Sequence, residues 1–123
     1  MHARRTALAD RYDALLAGLP LRLPARAEDR ISSWHLYAVE LDPAQTQRTR
    51  AEIFAAMRVA QIGVNVHYIP IHTQPYYRRL GFKPGDFPAA EAYYAQALSL
   101  PLFPAMTEAQ QSRVMDTLMR ALA

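Results

Sequence analysis

The stretch Trp34-His35-Leu36-Tyr37-Ala38-Val39-Glu40-Leu41 decides the fold class. Trp34, Leu36 and Ala38 alternate along one side of an extended chain, and Tyr37, Val39 and Leu41 along the other. Apolar residues on both sides predict a central strand buried on two faces. Upstream, residues 3–19 repeat apolar positions at helical period. Leu8, Tyr12, Leu15, Leu16 and Leu19 share one stripe, with Asp10 and Asp13 outside it. Arg4 and Arg5 sit close to that stripe, so either the helix end projects past the core or an acidic group packs there. Pro20 and Pro24 end the helix, and residues 20–30 read as a loop or a short edge strand.

Downstream, Asp42-Pro43-Ala44-Gln45 supplies an Asp N-cap, a proline at the first helical position and a Gln three residues after the cap. The helix predicted there carries Ile53, Phe54 and Met57 on its apolar face and stops at Gly63. Residues 64–69 predict a second strand, with Val64, Val66 and Tyr68 facing one way and Asn65, His67 and Ile69 the other. Residues 70–85, rich in proline, tyrosine and glycine, predict a loop with a helical turn around 76–80. Asp86 opens a helix through Tyr93 and Tyr94. Residues 99–103 form a short extended piece that Pro101 pushes toward a sheet edge. Thr107-Glu108-Ala109-Gln110 is a capping box, and Val114, Leu118 and Leu122 stripe the last helix. The order predicts one α+β domain over residues 1–123: a small three-stranded sheet, antiparallel or mixed, covered by helices.

Composition narrows the chemistry. The 123 residues are 51% hydrophobic, enough to bury a core without staples. No cysteine is present, which removes disulfides and thiolate chemistry and suits a reducing cytoplasm. No apolar run is long enough for a membrane span, and no secretory leader precedes the first helix. The expectation is a cytoplasmic protein. A net charge of +3, spread from Arg4 to Arg120, lacks the basic patch with interleaved aromatics that nucleic-acid binding needs. Of the 14 cationic residues only Lys83 is a lysine. It lies in Gly81-Phe82-Lys83-Pro84-Gly85-Asp86, an exposed turn with nothing to tune its amine for Schiff-base attack. No glycine-rich phosphate cradle follows a strand.

Polar groups concentrate in Gly63-Val64-Asn65-Val66-His67-Tyr68-Ile69-Pro70-Ile71-His72, where a strand runs out into a proline-bearing loop. A rigid sheet end is a common place to hold a site. His67 and His72 are suited to sugar hydroxyls or phosphate; the plainer alternative bonds His67 to backbone and leaves His72 solvated. Their spacing, with no third ligand, fits no standard metal set. His35, between Trp34 and Leu36, reads as a satisfied core histidine. No Gly-x-Ser-x-Gly elbow surrounds Ser32 or Ser33, so a serine hydrolase has no support. The parts are those of a binding surface without a reaction centre.

Five ordered blocks resemble the DegT/DnrJ/StrS family of pyridoxal-phosphate (PLP)-dependent nucleotide-sugar aminotransferases. They are Ser32-Ser33-Trp34-His35-Leu36-Tyr37, the run from Gly63 to His72, Gln74-Pro75-Tyr76-Tyr77-Arg78, Phe87-Pro88 with Ala90-Glu91 and Tyr93-Tyr94, and Ser99-Leu100-Pro101-Leu102-Phe103-Pro104. Arg4-Arg5 with Tyr12 is similar to the helix leading out of that family's large domain. Within the family the wording is closest to the transaminase of UDP-linked 4-keto-6-deoxy sugars in pseudaminic acid synthesis. The resemblance implies the C-terminal small domain of a fold-type I enzyme, the large cofactor-binding domain being absent from this chain. It implies ping-pong transfer of an amino group from glutamate to a sugar ketone, with PLP held elsewhere by a lysine this chain lacks. His67 and Tyr68 would then lie near the sugar-nucleotide pocket, with His72 on the loop beside it and His35 in a matching block. The implied partners are the large domain, the sugar nucleotide and a second copy covering exposed apolar surface. Activity is not expected from the fragment alone. A stand-alone sugar-nucleotide-binding or dimerisation module is the alternative, and a small histidine-based hydrolase the most remote one.

Overall fold

A computed structural model describes residues 1–123. Three short strands form one antiparallel sheet in the order β1-β2-β3: β1 Leu21–Arg22, β2 Tyr37–Leu41 and β3 Ala97–Leu100. Leu21 pairs with Leu41, and Tyr37 pairs with Leu100. Around the sheet lie α1 His2–Leu16, α2 Arg50–Val59, α3 Pro75–Arg79, α4 Pro88–Gln96 and α5 Glu108–Leu122. A 3-10 turn, Ile71–Thr73, precedes α3. The α+β class and the three-stranded sheet follow the expectation.

The membership of the sheet does not. β2 is central, but only Tyr37, Val39 and Leu41 are buried, while Ala38 and Glu40 are half-buried. Helix α4 packs over β2, where burial first and the charge of Glu40 second push the Tyr93 phenol above its ordinary range. Trp34 leaves the strand because it adopts a left-handed φ of +51°. The predicted strand over 64–69 reduces to a single bridge, in which Asn65 and Ser99 exchange hydrogen bonds of 2.8 and 3.2 Å. Asn65 Oδ1 accepts the next amide, of Val66, at 2.8 Å, and Pro70 lacks a donor, so the ladder does not extend. The third strand is instead β1, and the last one begins at Ala97, with Pro101 marking its end.

Helix α2 starts seven residues later than predicted. Asp42 spends its carboxylate on a turn, accepting from the Ala44 amide at 3.0 Å and Gln45 Nε2 at 2.6 Å. Thr49 and Glu52 form the capping box that starts the helix, the Glu52 amide bonding Thr49 Oγ1 at 3.2 Å. Its stop is not Gly63. The Ile62 amide reaches Met57 O and the Gln61 amide reaches Arg58 O, both at 2.9 Å, with Gln61 at φ +60°. That is a Schellman closure with glutamine in the left-handed position.

The core gathers Leu8, Tyr12 and Leu16 of α1, Tyr37 and Val39 of β2, Ile53 and Met57 of α2, and Leu118 of α5. Leu15, expected on this stripe, is exposed, and Leu19 is half-buried. The helix end around Arg4 is exposed, as one of the two alternatives expected, Arg5 is half-buried, and neither arginine meets an acid. Arg4 Nη2 donates to Met106 O at 2.6 Å, and Arg5 Nη1 donates to Trp34 O at 3.0 Å and Leu102 O at 3.1 Å. They fasten two loops to α1 through carbonyls that no strand or helix occupies.

Candidate substrate-facing surface

The segment after Asn65 carries the polar groups away from the sheet. His67 is half-buried, and its Nδ1 lies 2.8 Å from the Ser99 hydroxyl on β3. The His67–Tyr68 peptide bond is cis, and the two rings meet edge to face with centroids 4.5 Å apart. Tyr68 is 72% exposed. It borders an open apolar groove of about 520 Å³ lined also by Ile71, His72, Tyr77, Phe82 and Phe87. Neighbouring rings run Tyr77, Phe82, Phe87, His72, with centroids 6.2, 6.2 and 4.9 Å apart.

His72 is not a solvated loop residue. It is only 6% exposed, with Nε2 3.5 Å from Glu91 Oε2 and no hydrogen bond completed. The Glu91 carboxylate takes the Gly85 amide on both oxygens, at 2.9 and 2.8 Å. Gly85 has φ +96°, a conformation that suits glycine, so the turn at 81–86 can present that amide to α4. The Gly85–Glu91 hydrogen bonds thus tie the turn to α4, and Glu91 lies beside His72 of the 3-10 turn at the edge of the groove.

Of the four histidine and tyrosine candidates, the fold brings three together. Tyr68 and His72 line the groove and His67 adjoins Tyr68. His35 does not belong to that groove. It is exposed just before β2 rather than buried within it, because the turn at Trp34 breaks the alternation that predicted a core histidine. Ser99, Glu91, Phe82 and Phe87 were not singled out as site residues. Ser99 is the one polar residue in a strand whose four positions are all buried, a setting that only the folded arrangement reveals. No three His, Asp or Glu side chains converge as a metal-holding group. No helix is long and apolar enough to cross a membrane.

Residues 1–119 match the family model described as the DegT/DnrJ/EryC1/StrS aminotransferase family. The chain belongs to that family. Over 111 residues it is 40% identical to the spore coat polysaccharide biosynthesis protein SpsC of Bacillus subtilis, covering 88% of this chain and 28% of SpsC. The crystal structure of DesV from S. venezuelae, in complex with a ketimine intermediate, superposes with a TM-score of 0.87 at 34% identity. That match covers 99% of this chain and 32% of DesV. Helicobacter pylori PseC, an aminotransferase involved in the biosynthesis of pseudoaminic acid, gives a TM-score of 0.86. It covers 98% of this chain and 32% of PseC, and at 21% identity the likeness is one of fold. The DegT/DnrJ/EryC1/StrS chain described here therefore spans about a third of the length of its relatives.

The family is PLP-dependent, and a Schiff-base site needs a lysine held in a tuned, largely desolvated setting. The residues present do not fit that requirement. Lys83 is exposed, its amide tied to Asp86 Oδ2 at 2.9 Å in the turn. Its side chain does not line the groove.

Proposed function

We propose that this chain is the substrate-side, C-terminal portion of a nucleotide-sugar aminotransferase, with the cofactor anchored by residues outside it. The observation that carries the reading is the juxtaposition of an apolar, aromatic-lined groove with the exposed Tyr68 and the adjoining His67. Ligand sites combine apolar walls with a few placed polar groups in this way. Aromatic faces suit a base or the apolar face of a sugar ring, and the Tyr68 hydroxyl and His67 Nε2 suit sugar hydroxyls or phosphate. The finer form of the proposal is a UDP-linked 4-keto-6-deoxy sugar as amino acceptor and glutamate as donor. It rests on the five sequence blocks and on kinship with SpsC, whose name places that protein in polysaccharide biosynthesis. The chain's own residues would bind and orient the sugar and exclude water from one side of it.

A second reading, a dimerisation module, is favoured by the exposed Ile69, Ile71, Tyr76 and Leu80 within one stretch of twelve residues. Titrating the 15N-labelled chain with UDP-N-acetylglucosamine, and with UMP in parallel, separates the two. The substrate-side reading expects amide shifts concentrated at residues 67–72, Tyr77 and Phe87. Shifts confined to α1 and α5, or none at millimolar ligand, would remove it.

A further inference from the structure

The hydroxyl of Ser99 is the least expected polar group in the molecule. It sits between Leu98 and Leu100 in a strand buried at every position, and Ser99 itself is only 5% exposed. A buried hydroxyl proton without an acceptor is costly. The single hydrogen bond its side chain makes is to His67 Nδ1, at 2.8 Å. The backbone of the same serine bonds Asn65 twice, through its amide at 2.8 Å and its carbonyl at 3.2 Å. Ser99 thus holds the departing segment at three points within three residues, and the last of them is an imidazole. Nε2 of that ring makes no hydrogen bond within the chain.

We propose that Ser99 is a positioning residue: its hydroxyl donates to His67 Nδ1, so that the neutral ring turns an Nε2–H donor toward the ligand. The direction follows from counting. A neutral imidazole has one donor and one acceptor nitrogen, and the bond at one fixes the role of the other. If Nδ1–H donated instead, the serine proton would be left buried without an acceptor. An unsatisfied hydroxyl lone pair is the smaller loss. The ligand class that matches an Nε2–H donor is an acceptor oxygen, such as a sugar hydroxyl, a carbonyl or a phosphate. This last part rests on the substrate-side reading above; the serine–histidine assignment does not.

Labelling the chain with 15N-histidine, of which it has four, tests both parts. At a pH where the rings are neutral, two-bond proton–nitrogen spectra should show His67 with Nε2 protonated. Its Nδ1 resonance should be displaced upfield as a hydrogen-bond acceptor. In Ser99→Ala that displacement should vanish and a mixture of tautomers appear, while Ser99→Thr keeps the wild-type pattern. UDP-N-acetylglucosamine should bind the alanine variant about fivefold more weakly, with the threonine variant restored. A proton on Nδ1 in the wild-type spectrum overturns the assignment by itself. So does an alanine variant with an unchanged Nδ1 resonance. Intact tautomer results without any ligand response at His67 would leave Ser99 assigned and sink the substrate-side reading instead.

Discussion

Gln111 joins the first helix to the last by a hydrogen bond that no hydrophobic pattern announces. Its side chain is fully buried, with Nε2 donating to Leu8 O at 2.7 Å and Oε1 accepting from Arg11 Nη1 at 3.1 Å. Three residues before Val114 it sits on the core stripe, yet as a glutamine it reads as solvent-facing until α1 is placed beside it. Replacing it with alanine should cost roughly 1–3 kcal/mol, through the lost bonds and the space left behind. Urea unfolding measures this, and a midpoint equal to wild type would contradict the packing. Tyr12 makes a second link, its hydroxyl donating to Pro101 O at 2.8 Å. Burial holds the phenol well above its ordinary range, with Arg11 opposing weakly. The folded state therefore grips that proton more tightly than the unfolded chain. The stability this adds is complete below about pH 10, the ordinary tyrosine value, and fades as pH rises above it. Tyr12→Phe should show a shallower alkaline loss of melting temperature than wild type. Parallel curves would mean that the phenol is not responsible.

Among the elements, α2 shows best where sequence reading succeeds and fails. Its apolar face, Ile53, Phe54 and Met57, was legible from spacing alone, but its boundaries were not. Asp42-Pro43 and Thr49-Arg50-Ala51-Glu52 are both start signals, and both are compatible with that face. Local hydrogen bonding decides, since Asp42 closes a turn with Ala44 and Gln45 instead of capping. At the other end Gln61 holds the left-handed position that glycine usually takes. Gln61→Gly should raise stability by about 0.5–1 kcal/mol by relieving the Cβ penalty, and thermal melts would register it. A lower melting temperature would mean that the Gln61 side chain carries an interaction beyond its backbone. The capping box adds a pH signature. Glu52 is held below the ordinary carboxylate range, chiefly by the Thr49 amide and then by its hydroxyl. Its contribution is present above the unfolded value of about 4.3 and is lost as pH falls through the lower folded one. The strand expected at 64–69 failed for a related reason. Alternation was visible, but the side-chain acceptor of Asn65 and the missing amide of Pro70 end pairing after one bridge.

For the molecule as a whole, the sheet class, the helical cover and the family were legible in the sequence. So was the clustering of His67, Tyr68 and His72. Invisible were the partners that give these residues their roles, Ser99 from β3 and Glu91 from α4, because both depend on contacts between distant segments. His35 misled because a turn at Trp34 reverses the face that strict alternation assigns. What emerges is a groove with walls and oriented polar groups, on a chain spanning about a third of its relatives, whose one lysine faces water. The proposal that it shapes a substrate site while another part of the polypeptide anchors the cofactor is tested most directly at that lysine. The chain is incubated with equimolar PLP, reduced with borohydride, and mapped by peptide mass spectrometry. Only trace labelling at Lys83, no greater than for a free surface amine, is the predicted outcome. A stoichiometric pyridoxyl adduct on Lys83 would contradict it.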